Sequence, residues 1–217
     1  MQHQELIART QKFVKRELSQ AEGGHDWFHV ERLHRLAREI AQSEQVDLLV
    51  VELAALLHDI ADSKFHNGNE EVGPQLADEF LTRLGVNDEA KDHVVNIVRH
   101  VSFKNEFSTV TFQSPELHVV RDADRLDALG AIGIARAFNY GGHKKRAIYD
   151  PAIKPQPDLS KEKYKQSTAP TINHFYEKLL LLKDRMHTQT GRRLAEVRHR
   201  FLEQYLAQFY REWEGKL

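Results

Sequence analysis

The most apolar stretch of the chain, LLVVELAALL at 48–57, runs directly into a histidine and an aspartate, His58 and Asp59. An imidazole and a carboxylate in such surroundings are costly unless they are paired or bound to a metal. Adjacent helical residues project about 100° apart, so the two converge on one small ion only where a helix frays. The plainer alternative is that they end a core helix, with Asp59 in a salt bridge. A further histidine, His29, stands at the start of an expected helix beside Trp27 and Phe28. Three acids, Asp122, Asp124 and Asp127, interrupt an apolar run that includes Leu117, Val120, Ala123, Leu126 and Leu129. Carboxylates so placed need partners, and a cation is one choice; an exposed position or a cap is the other. The chain has 13 His and no Cys, so any metal is bound by nitrogen and oxygen and no disulfide is available.

Helices must position these groups. Apolar residues at three-to-four spacing predict helices over about 3–19, 27–43 and 47–58, the second with Val30, Leu33, Ala37 and Ile40 on its stripe and the third capped by Asp47. Further helices are expected over about 70–84 with Gly85 as the stop, 88–101, and 115–139 with a break near Gly130 or Gly133. Ser108 to Phe112 has the only strand-like composition and is short enough to read as loop. From about 140 to 169 the periodicity lapses into glycines, prolines and a Lys/Arg cluster, which suggests a mobile basic loop. Two helices close the chain, over about 171–188 and 190–213, and their apolar faces offer a homodimer surface.

Bulk composition narrows the function classes. With 217 residues, 41% apolar and 29% charged, the chain suits one globular domain. A net charge of −1 argues against stable nucleic-acid binding. No apolar run approaches the roughly 20 residues that span a bilayer, and Met1 to Leu18 mixes charges in a way no signal peptide does, so a cytoplasmic location is expected.

The pattern H…HD…D, formed by His29, His58-Asp59 and Asp124, resembles the signature of the HD-domain phosphohydrolase superfamily. The flanking text is similar too: HDWxHxxR at 25–32, LHDIxD at 57–62 and DADRLDAxGAIGIARAF at 122–138. Together with GGHKKRAIYDP at 141–151, it looks closest to the bacterial YedJ/YpgQ-like branch. The resemblance covers about residues 20–210. It implies an all-α, single-domain helical bundle with a metal in a central cleft, held by His29, His58, Asp59 and Asp124. Asp124 is preferred to Asp122 and Asp127 because it is the acid of the A-D-R-L string.

Two imidazoles and two carboxylates suit one six-coordinate divalent ion, with Mn2+ favoured over Mg2+, Fe2+, Co2+, Ni2+ or Zn2+, and leave positions for water and a phosphate oxygen. Such an ion supports phosphoryl hydrolysis by activated water. Asp62, one helical turn beyond Asp59, could orient that water or act as general base; a cap is the alternative. Arg32, Lys64 and His100 could hold substrate phosphates, as could Lys144, Lys145 and Arg146 if their loop closes as a lid. Exposed salt bridges or a solvated charge run account for these residues as well. The expected activity is hydrolysis of a small nucleotide or phosphate ester, with nucleoside triphosphate cut to monophosphate and pyrophosphate as the specific choice. A nucleotide monophosphatase and a metal-anchored nucleotide sensor with little turnover are the competing readings.

Overall fold

Apolar residues at three-to-four spacing, closed by short polar caps, produce helices throughout. In a computed structural model of the chain, residues 2–20, 26–61, 69, 71–101, 112–156 and 167–216 are described, and the regular elements among them are all helical. They are α1 (His3–Glu17), α2 (Trp27–Ala41), α3 (Leu48–Leu57), α4 (Val72–Leu84), α5 (Asp88–His100), α6 (Pro115–Asp127), α7 (Gly130–His143), α8 (Thr171–Glu177) and α9 (Gln189–Trp213). No helix among the described residues is long and apolar enough to cross a membrane. The chain divides into two compact units, Met1–Asp124 and Arg125–Leu217.

The first unit is built around α3, which packs on α1, α2 and α5, while α4 packs on α5. Val51, Leu53, Ala54, Ala55, Leu56 and Leu57 of α3 are completely buried. The Asp47 carboxylate accepts from the Leu49 and Val50 amides at 2.8 and 3.3 Å and fixes where this helix starts. Glu52 is the one acid in α3, and it is buried. Its carboxylate is met by His3 at 2.5 Å, His34 at 3.0 Å and Arg38 at 3.2 Å. Burial alone would raise its pKa, but the hydrogen bonds from His34 and His3 and the nearby Arg38 outweigh that and hold it below the usual value. α6 begins where Ser114 Oγ accepts from the Leu117 amide at 3.1 Å, with Pro115 at its first position. Its buried Glu116 accepts from the Asp47 amide at 2.9 Å, and Arg121 donates to the His100 carbonyl at 2.7 Å, so α6 is tied to the start of α3 and the end of α5.

In the second unit, α7 packs against α8 and α9. The expected break near Gly130 falls at Gly130, whose φ of 69° is the left-handed conformation glycine adopts without strain. Two boundaries differ from the sequence reading. Tyr140 to His143 continue α7, so the irregular segment starts later than expected. The helix expected over 171–188 ends at Glu177, because Lys178 leaves the helical region with φ −143° and ψ −58°. Two 3-10 turns, Leu179–Leu181 and Lys183–Arg185, follow. Leu179, Leu182 and Met186, in and beside these turns, are buried at the three-to-four spacing that a continuous helix would also give. The strand-like Ser108 to Val110 and Thr111 lie outside the described residues.

Candidate metal centre

Three helix ends in the first unit bring the chemistry-bearing residues together. Asp26 caps α2 by accepting the His29 amide at 2.9 Å, which sets the first turn and directs His29 into the interior, where it is 1% exposed. α3 ends at Leu57, so His58 and Asp59 occupy the turn that follows it. His58 keeps helical dihedrals, φ −55° and ψ −32°, at the cap of α3, and its Nε2 and the Asp59 carboxylate still come within 3.9 Å. Asp124 comes from α6.

The distances describe one shared space. His29 Nε2 lies 3.6 Å from Asp124 Oδ1 and 4.0 Å from Asp59 Oδ2, and His58 Nε2 lies 3.9 Å from the same Asp59 oxygen. The two imidazole rings meet edge to face at 5.3 Å. His29, His58 and Asp59 each offer a ligand atom within 4.8 Å of the others. Two donors on one divalent ion, with bonds of about 2.1 Å, stand roughly 3 Å apart when adjacent and about 4.2 Å when opposite. The observed spacings fall in that range, so the group could hold such an ion.

The state of His58 fits this use. Its Nδ1 lies 3.0 Å from the Ala55 carbonyl, which can only accept, so Nδ1 carries the proton. Burial pushes the imidazole pKa below its ordinary value and outweighs the Asp59 and Asp124 carboxylates, which push it up, so the neutral ring is favoured. Nε2 therefore presents a lone pair, and among the described residues this buried atom has no hydrogen-bond partner. A buried acceptor without a donor is costly, and a cation would satisfy it.

The three acids of α6 separate by environment. Asp122 is fully buried. Asp127, 1% exposed, receives a 3.0 Å hydrogen bond from Arg136. Asp124 is the one that faces His29, with its side chain 39% exposed. Arg32 sits one turn after His29 on α2, half-buried. His100, at the end of α5, directs Nδ1 to the Asn96 carbonyl at 2.8 Å and packs on Phe112; it is not in the convergent group. Asp62 and Lys64 lie outside the described residues.

In the second unit, Lys144, Lys145 and Arg146 close the C-terminal end of α7. The Lys144 ammonium and the Arg146 guanidinium lie 5.7 and 5.6 Å from the Tyr140 ring centroid, and Arg146 also donates to the Ser167 carbonyl at 2.5 Å. The residues after them are tied to α8, with the Thr171 and Ile172 amides donating to the Ala147 and Ile148 carbonyls at 2.9 and 3.0 Å. Sequence reasoning did not single out Asp26 or Ala55. The first has a readable signal, an acid just before a helix. The second acts through its carbonyl and has none.

Known proteins share this arrangement of sequence and fold. The HD domain family model matches residues 27–129. YpgQ of Bacillus subtilis is 38% identical over 94% of this chain and 91% of its own length. The crystal structure of an HD-superfamily hydrolase from Bacillus thuringiensis superposes with a TM-score of 0.78 at 43% identity, covering 99% of this chain and all (100%) of the other. The crystal structure of Bacillus subtilis YpgQ in complex with ADP does so with a TM-score of 0.77 at 34% identity, over 98% of this chain and 97% of that one. The chain belongs to the HD-domain superfamily of hydrolases, in its YpgQ-like branch.

Proposed function

We propose that this protein is a metal-dependent phosphohydrolase of small nucleotides that cuts nucleoside triphosphates to monophosphate and pyrophosphate. The observation that carries the reading is the convergence of His29, His58 and Asp59, whose ligand atoms lie within 4.8 Å of one another, with Asp124 3.6 Å from His29 and an unpartnered Nε2 on His58. These four residues would hold one divalent ion per chain, Mn2+ favoured. When bound, it supplies an activated water and neutralises charge building on the phosphoryl group.

The chain's own groups do the rest. The Ala55 carbonyl holds His58 in one tautomer, and the Asp26 cap holds the α2 turn that carries His29. The Asp59 side chain, 22% exposed, is open enough to accept a proton or a hydrogen bond from water at the same place. Asp62 is assigned as general base, with Arg32, Lys64, His100, Lys144, Lys145 and Arg146 as phosphate-binding groups. Relatedness to YpgQ, crystallised with ADP, supports a nucleotide as the ligand class. The choice of a triphosphate substrate rests on the number of cations assigned to phosphates.

A panel of ribo- and deoxyribonucleotides, each assayed with Mn2+, Mg2+, Co2+ and Ni2+ and with products separated by anion exchange, tests the reading. Stoichiometric pyrophosphate and monophosphate from a triphosphate are expected. Inorganic phosphate from monophosphates alone would replace the reading with a nucleotidase. Thermal stabilisation by nucleotide with no release of phosphate or pyrophosphate would replace it with a sensor.

A further inference from the structure

In the first unit, α1 and α4 enclose a cleft of about 490 Å³ lined by Arg9, Lys12, Phe13, Arg16, Phe80 and Arg83. Four of these residues are cations, two are phenylalanines, and none is an acid. The pattern comes from α1, where Arg9, Lys12, Phe13 and Arg16 recur at helical spacing and so share a face. α4 adds Phe80 and, in its last turn, Arg83.

The floor is apolar and recessed. Phe13 and Phe80 stack with centroids 3.9 Å apart and planes within 7°, and Phe80 is only 8% exposed. The Arg16 guanidinium lies 5.6 Å from the Phe13 centroid. Of the rim cations, Arg9 has Glu5 at 3.3 Å and Arg16 has Glu17 at 2.8 Å, both pairs at the surface. Among the described residues, the Lys12 and Arg83 side chains have no hydrogen bond or ion pair. Cations crowded around an apolar floor repel one another, and an anion relieves that repulsion.

We infer that this cleft docks an acidic segment of a partner protein, one that inserts an apolar side chain between flanking carboxylates. Charge complementarity selects an anion, and guanidinium forks are suited to carboxylates. The stacked rings select the rest. Phe13 has Phe80 stacked on it and Arg16 over its ring, and Phe80 is 8% exposed, so neither ring is presented as a platform for a nucleobase. A membrane surface would need apolar side chains that protrude. Among the described residues of this unit, the exposed large apolar ones are Phe28 and Leu48, and neither lines the cleft. A recessed floor instead needs a knob supplied by the partner.

The test is fluorescence polarisation of the full-length protein with a fluorescein-labelled peptide carrying a leucine pair flanked by glutamates, at low and moderate salt. Saturable binding is expected. It should weaken at least about tenfold in Lys12→Glu/Arg83→Glu, and by a similar factor when the leucines are replaced by serines. Both substituted residues are exposed, so the variant keeps the wild-type melting temperature and nucleotide hydrolysis. No binding, binding unchanged in the charge-reversed variant, or equal binding of the serine peptide would overturn the inference. So would equally tight binding of a single-stranded oligonucleotide or of phosphatidylserine vesicles, because either would make the cleft a generic anion patch.

Discussion

Asp124 and Asp127 lie on the same helix three residues apart, and replacing each by Asn should produce opposite phenotypes. Asp124 is partly exposed and faces His29 Nε2 at 3.6 Å. Its replacement preserves shape, so stability should change by less than about 0.5 kcal/mol. Two of the four residues, Asp59 and Asp124, are carboxylates, and the variant removes one of them. Loss of an outer-shell partner costs about 10–100-fold in metal affinity, so loss of a direct carboxylate donor should cost at least about 100-fold, or roughly 2.7 kcal/mol. Asp127 is 1% exposed and bonded to Arg136 at 3.0 Å. Removing its charge should cost about 1.5–3 kcal/mol of stability, which lowers the melting temperature by roughly 3–12 °C in a chain of this size. Its Mn2+ affinity should stay at the wild-type value. Calorimetric titration with Mn2+ and thermal melts in chelator measure both quantities. Wild-type Mn2+ affinity in Asp124→Asn, or lost affinity without lost stability in Asp127→Asn, would refute the reasoning.

Glu52 should matter for stability and its pH dependence. Glu52→Ala leaves the buried His34 without its carboxylate partner and should lower stability by about 2–4 kcal/mol in a denaturant melt at neutral pH. The folded-state pKa of Glu52 is depressed, so its contribution is complete above the unfolded value near 4.5 and is lost as pH falls through the folded value. The gap in melting temperature between wild type and Glu52→Gln should therefore be steady above about pH 5.5 and shrink below about pH 4.5. Lys145 adopts φ 54° at the end of α7, a conformation that favours glycine. Lys145→Gly should raise stability by about 0.5–1 kcal/mol, and KM for nucleotide should rise if the lysine contacts phosphate.

Much of this architecture is legible in the sequence because burial imposes period. The α3 boundaries follow from an apolar run, an aspartate cap and the polar pair that ends it. The same period misleads beyond α8. Leu179, Leu182 and Met186 keep three-to-four spacing while 3-10 turns replace the helix, since such turns also place residues three apart on one side. Apolar patterning does not choose among Asp122, Asp124 and Asp127, because all three lie in similar apolar text; the choice of Asp124 comes from the resemblance of its A-D-R-L string. In the structure Asp127 is bonded to Arg136 and Asp124 faces His29, an arrangement that supports the same choice. Glu52 carries no local signal either. Its partners come from two other helices, with His3 49 residues away in sequence.

The central claim is that His58 completes a divalent-metal site on which nucleotide hydrolysis depends. The most direct measurement is calorimetric titration of Mn2+ into metal-stripped wild type and into His58→Gln, with circular dichroism to verify the fold of both. The account predicts one ion per wild-type chain and no saturable binding in a folded His58→Gln. Full Mn2+ occupancy in that variant would contradict it.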